Sequence, residues 1–280
     1  MSASASWPQR QRSLGRVALA AARLDGGATR LMDLAEAGPL RLRLPRPDGP
    51  GLEGVLLNSA GGIACGDRFA VEATLGPGAD LVLTTTAAEK IYRSDGPVTD
   101  LATRLTLASG ARLAWLPQET ILYDTARLTR RLDADMAPDA ALTLFEALVF
   151  GRAARGESVR EGSLRDAWRI RRGGRLVYAD TLRLDGAVAD LMARPAVAGG
   201  ARALATMLHV APDAEAELDR MRALIDAAGC EALQVEAGAS AWNGMLVVRL
   251  LAREIGALRR AAVPLLEGFR RTSLPRVWQT

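Results

Sequence analysis

The chain has 280 residues, 49% of them hydrophobic, with 36 basic against 32 acidic side chains, a net charge of +4 and a pI near 9.6. That is enough apolar mass for one sizeable core, while scattered arginines, nearly balanced charge and only 4% aromatics exclude a nucleic-acid groove of clustered basic and stacking side chains. Two cysteines and one histidine exclude a disulfide scaffold and a closed four-ligand Cys/His zinc site within one chain, and they fit a reducing, cytoplasmic compartment.

Residues 1–15 are small, polar and basic and lack the apolar centre of a signal peptide, so a flexible tail is expected. No apolar run reaches the roughly 18 residues of a membrane helix, and no membrane partner is expected. Residues 17–24 and 30–35 flank Asp25-Gly26-Gly27, a hairpin signal. Residues 39–51, rich in proline, glycine and arginine, read as a loop, and residues 54–57 as a brief strand. Then Gly61, Gly62 and Gly66 crowd around Asp67, which demands backbone turns that side chains forbid.

From Phe69 the chain repeats a strand, a tight turn and a strand over residues 69–83, 101–115, 128–145 and 164–178. The turns centre on Pro77, Ser109, Pro138 and Gly173, a spacing of about thirty residues. First strands alternate, as in Leu101, Thr103, Leu105 and Leu107; second strands are continuously apolar and so are expected to be buried on both faces. The fold expected is mainly β: stacked or helically arranged β-sheets built from repeated hairpins over residues 16–186. A small α+β C-terminal part, residues 187–280, carries two helices and packs on the same core. The first helix is expected over residues 212–228, with Pro212 in its first turn and Gly229 just past its end. The second spans residues 252–271, kinked or divided by Pro264. Residues 273–278 read as an extended tail.

Stacking in register would gather the loops after the second strands, making Glu89, Glu119, Asp124, Glu157 and Asp185 neighbours. Glu146 and Asp180 fall inside second strands. An acid there faces solvent or lines a polar interior, because an unpaired buried charge is costly. The glycine-rich stretch lacks Gly-Lys-Ser/Thr and leads into a strand, so it is neither a P-loop nor a dinucleotide fingerprint. Lys90, the only lysine, reads as a reactive amine or a charged strand end. His209, within an apolar strand, reads as structural. Paired carboxylates, Glu119 among them, leave a β-solenoid hydrolase as the alternative, although few aromatics are present to stack on sugars. Acids near Cys65 could bind a first-row metal weakly and reversibly.

Six segments in order resemble the urease accessory protein UreD (UreH) family. They are Gly61-Gly62-Ile63-Ala64-Cys65-Gly66-Asp67, residues 84–94, residues 113–121, residues 151–157, residues 176–186 and Leu274-Pro275-Arg276-Val277-Trp278. The resemblance implies a non-enzymatic scaffold of helically arranged sheets with two helices. It implies partners, namely a UreF-like helical protein, a UreG-like GTPase and apo-urease, with nickel supplied by a UreE-like metallochaperone. It implies no tightly bound cofactor, only transient nickel in an internal tunnel, with Asp67, Glu146 and Asp180 on the path and Cys65 as a further candidate. The chain departs from the family pattern at Asn58-Ser59-Ala60, where relatives have His-Pro-Pro, and at Cys65, where they have glycine. It also has Glu146 and Asp180 where the family has the two acids in the opposite order.

Overall fold

The structure, a computed structural model, describes residues 12–25, 27–46 and 49–279. The expected tail before Arg12, Gly26 of the first turn and Pro47 and Asp48 of the expected loop lie outside these residues.

Two antiparallel hairpins open the chain: β1 (Leu14–Arg23) with β2 (Thr29–Ala37), and β3 (Leu40–Arg43) with β4 (Leu52–Asn58). β3 lies inside the expected loop; its alternating Leu40 and Leu42 are buried, which outweighs the surrounding prolines and arginines. The repeat follows as β5 (Arg68–Leu75), β6 (Asp80–Thr85) and the short β7 (Glu89–Ile91). Next come β8 (Thr99–Leu107), β9 (Arg112–Leu116) and the short β10 (Thr120–Leu122). β11 (Arg127–Met136) and β12 (Ala141–Phe150), then β13 (Gly162–Arg172) and β14 (Arg175–Gly186), complete it. The C-terminal part consists of α1 (Val188–Ala193), β15 (Ala203–Val210), α2 (Leu218–Ala227), β16 (Val235–Trp242), β17 (Met245–Ala252) and α3 (Ile255–Arg270).

The expected stacked, coiled β architecture is present, but the strands inside each unit do not pair with each other until β13 and β14. β5 pairs in parallel with β1 and β8, whereas β6 pairs in parallel with β4 and β9. Each tight turn therefore carries the chain from one sheet to the other, and successive units stack as coils. One sheet has the order β14-β13-β11-β8-β5-β1-β2, and the other β16-β17-β15-β12-β9-β6-β4-β3. The first sheet alternates because its outer face meets water. In the second sheet β12 and β17 are buried on both faces because the helices cover its back, whereas β6 keeps alternating and β14, a second strand expected to be buried, is a largely exposed edge strand of the first sheet.

The main core fills the space between the sheets; a second, around Phe145, Met207, Leu246, Leu258 and Leu266, lies between the second sheet and the helices. Pro264 sits inside α3 without dividing it, since Leu258, Ala261, Leu265, Leu266 and Phe269 anchor both halves. α2 starts later than expected, after a 3-10 turn at Ala214–Glu217, and α1 is an additional short helix. The expected extended tail is instead a plug. Trp278 is buried on the back of the second sheet, donating to Thr84 Oγ1 (3.0 Å) and the Leu116 carbonyl (3.2 Å).

Candidate functional site

Three stacked coils of the second sheet differ at one place. Leu83, Trp115 and Leu144 are aligned, and so, further on, are Glu89, Thr120 and Leu148. Between these rungs lie residues 84–88, then 116–119, then 145–147, so each coil has one residue fewer than the last. The first two chains loop out and interrupt their strands, while β12 runs straight through with Glu146 at the level of the break. Gln118 staples the loops, its Nε2 donating to the carbonyls of Thr85 (3.3 Å), Thr86 (3.1 Å) and Val277 (2.9 Å). The break opens a cavity of about 300 Å³ between the sheets, walled by Thr86, Glu89, Lys90, Phe69, Trp115, Arg130 and Glu146 among others. A second cavity of about 190 Å³ continues toward the far edge of the sheets, past Asp166, Trp168, Asp180 and Arg249. Both have Arg130 and Glu146 in their walls, so this buried pair is the partition between them.

The pair follows from strand alternation. β11 buries Leu128, Arg130, Leu132 and Ala134, and Arg130 takes an inward position between leucines. In β12, Glu146 does the same between Leu144 and Leu148. Parallel register sets Asp166 of β13 beside Arg130. Arg130 forks onto Asp166 through Nε to Oδ1 (3.0 Å) and Nη2 to Oδ2 (2.5 Å), and Nη1 donates to Thr120 Oγ1 (3.3 Å). Glu146 reaches across from the opposite sheet. Its Oε1 accepts from Trp115 Nε1 at 2.8 Å, and its Oε2 lies 3.0 Å from Arg130 Nη2 without the geometry of a hydrogen bond. One carboxylate oxygen, 5% exposed as a residue, is therefore buried and unsatisfied.

Burial pushes the Glu146 carboxyl above its ordinary value, against the pull of Arg130, and Asp166 adds to the rise. Burial works against the Arg130 charge, yet Asp166 and Glu146 together push it further up. With both carboxylates ionised, the trio carries one negative charge in excess. At the entrance, burial likewise raises Glu89, which accepts from Asn58 Nδ2 at 3.2 Å through each oxygen.

The expected metal-path residues separate. Glu146 and Asp180 line the same cavity. Asp180 sits at its exposed mouth, 2.6 Å from Arg249 Nη2 and accepting from the Tyr178 hydroxyl at 3.2 Å. Asp67 is in neither wall. Its Oδ1 accepts the Ser13 N–H (2.8 Å) and its Oδ2 the Ala64 N–H (2.9 Å), closing the turn in which Gly66 takes φ +82°. Cys65 is buried beside it and donates to Asp95 Oδ1 at 3.2 Å. Lys90 is an exposed strand residue at the cavity entrance.

Coil stacking does bring Glu89 and Glu119 together, with the Glu89 N–H on the Glu119 carbonyl at 2.8 Å. Asp124 and Glu157 likewise line one shared pocket, and the five acids keep separate partners: Glu89 accepts from Asn58 (3.2 Å), while Glu119 pairs with Arg259 (3.0 Å), Asp124 with Arg160 (2.7 Å), Glu157 with Arg152 (2.5 Å) and Asp185 with Arg183 (3.7 Å). Among the described residues, no three His, Cys, Asp or Glu side chains converge to hold a metal ion. His209 meets Thr143 Oγ1 at 2.9 Å, and burial lowers its basicity. Arg130, Asp166 and Trp115 escaped the sequence reading. The available signal was a charge at an inward position of an alternating strand, repeated one coil later with the opposite sign.

The UreD urease accessory protein family profile matches residues 13–279. The chain is 76% identical over 275 residues to the urease accessory protein UreD of Methylobacterium sp. (strain 4-46), covering 98% of each chain. It is 60% identical to that of Xanthobacter autotrophicus, covering 97% of this chain and 91% of the relative, and 48% identical to that of Rhodopseudomonas palustris, covering 95% and 93%. A match of this extent and identity makes the chain a member of the UreD family of urease accessory proteins.

Proposed function

We propose that this chain is a non-enzymatic scaffold for urease maturation that conducts nickel to apo-urease through the space between its two sheets. Glu146 and Asp180 are the exchanging oxygen ligands on this path, and Glu89 is the acid at its entrance. Asp67, which accepts from the Ser13 and Ala64 N–H groups, and Cys65, whose thiol donates to Asp95, lie outside both cavities and shape the glycine-rich turn beside them. The observation that carries the reading is the unsatisfied Glu146 oxygen at the partition between two cavities. Single carboxylates spaced along a passage bind a first-row cation weakly enough to release it, whereas a Cys/His cage would retain it. The chain would work in the cytoplasm with a UreF-like protein and a UreG-like GTPase, and it carries no resident cofactor of its own.

The test is urease matured in cells that carry Glu146→Gln at this locus under limiting nickel. The variant is expected to assemble with its partners normally while the nickel content of the purified urease falls. Full nickel loading in that variant would falsify the transit role of Glu146.

A further inference from the structure

We propose that Arg130 is a built-in counter-cation whose guanidinium keeps Glu146 and Asp166 from becoming a metal trap, so that the passage conducts a divalent cation rather than storing it. The proposal rests on the transit reading and adds the group that sets how tightly the narrowest point holds its cargo. Three observations carry it.

The guanidinium bridges the two sheets at the partition shared by both cavities. Its fork is spent on Asp166, and the same Nη2 that binds Asp166 Oδ2 at 2.5 Å stands 3.0 Å from Glu146 Oε2. Two carboxylates from opposite sheets thus converge on one positively charged nitrogen. Finally, Glu146 Oε2 is buried without a hydrogen bond and lies in the wall shared by both cavities, so its ion pair with Arg130 is its one described polar contact.

The consequences follow from charge. With Arg130 present and both carboxylates ionised, the cluster carries one excess negative charge, which attracts a passing divalent ion but leaves it a single open oxygen. Without Arg130, two carboxylates that now share one nitrogen would face one another in a medium that screens poorly. Oxygen ligands from both sheets would then close on a first-row divalent ion, with water completing its shell. Arg130 cannot be neutralised at any working pH, so the arrangement is permanent.

The experiment uses the full-length chain and Ni²⁺ alone, read by equilibrium dialysis and by thermal unfolding with and without Ni²⁺. Arg130→Met is expected to hold one Ni²⁺ per chain at least tenfold more tightly than the unsubstituted chain, and Ni²⁺ is expected to raise its unfolding temperature more. Arg130→Lys, which keeps the charge, should show no such gain. Adding Glu146→Gln to Arg130→Met should remove it. A folded Arg130→Met chain that binds Ni²⁺ no better than the parent overturns the proposal, as does a gain that survives the added Glu146→Gln. Failure of Arg130→Met to fold even with Ni²⁺ present overturns it too, because the ion would then not replace the guanidinium. These readouts do not involve urease, so the proposal can fail while Glu146→Gln still blocks nickel loading and the transit reading stands.

Discussion

Two buried carboxylates, Asp67 and Glu146, are 4% and 5% exposed, and burial alone does not tell them apart. Asp67 spends both oxygens on backbone N–H groups, one from Ala64 of its own glycine turn and one from Ser13, just before β1. The interior around Glu146 spends one oxygen on Trp115 and leaves the other unsatisfied beside Arg130. Each Asp67 oxygen has a backbone donor, whereas Glu146 Oε2 has no hydrogen bond and faces a cavity. Asp67 lies outside both cavities, whereas Glu146 lines both.

The largest expected effect tests the first half of this contrast. Asp67→Ala removes the acceptor of two N–H groups and should cost about 3 kcal/mol in urea denaturation. Nickel delivery per folded molecule should stay within about twofold of the parent, a change of under half a kcal/mol. A stable Asp67→Ala chain that fails to load urease would break the contrast.

Glu146→Gln should show the opposite pattern. The amide can still accept from Trp115, and it leaves Arg130 balanced by Asp166, so stability should move by less than about 1 kcal/mol. Nickel in urease should drop by about tenfold or more, the scale on which loss of a metal-contacting group acts. The two variants together form a double dissociation between folding and delivery.

A smaller effect appears with pH. The Glu146 carboxyl is raised in the folded chain by burial and by Asp166, above an unfolded value of about 4.3. Between the unfolded and the raised value, the folded state binds the extra proton, so this group makes stability fall as pH rises through the window. Glu89 contributes in the same direction. Subtracting the stability–pH curve of Glu146→Gln from that of the parent isolates the Glu146 share, which should have a negative slope above the unfolded value and flatten beyond the raised one. A zero or positive slope would mean that Arg130 outweighs burial and that Glu146 is a fully paired ion.

The coils were legible because alternating first strands and apolar second strands recur with a turn between them. The sheet switch was not, because a strand–turn–strand segment reads the same whether its strands pair or part. Glu146 stood out as an acid in an apolar strand. Arg130 and Asp166 looked like ordinary charges until parallel register put residue 130 beside residue 166. Asp67 was conspicuous for its glycines, yet the N–H groups it satisfies, those of Ser13 and Ala64, come from two separated stretches of chain. Trp278 reads as the end of a tail, and its slot exists only once Thr84 and Leu116 lie side by side in neighbouring strands.

The smallest expected effect belongs to Asp180, in the wall of the second cavity. Its side chain is 39% exposed and its partner Arg249 61%, so the 2.6 Å ion pair is screened by water. Asp180→Asn should therefore cost less than about 1 kcal/mol. Burial, and after it the Asp180 charge, pushes the Tyr178 hydroxyl up to about 12. Removing that charge should lower the tyrosine's midpoint in an absorbance titration, leaving burial as the remaining cause of the rise. Nickel delivery should fall by less than in Glu146→Gln, because an exposed carboxylate at a mouth can be replaced by water as a ligand, whereas a carboxylate at the partition cannot. If Asp180→Asn blocked delivery as completely as Glu146→Gln, the rate-setting point would lie at the mouth, and the unsatisfied oxygen of Glu146 would not be what governs passage.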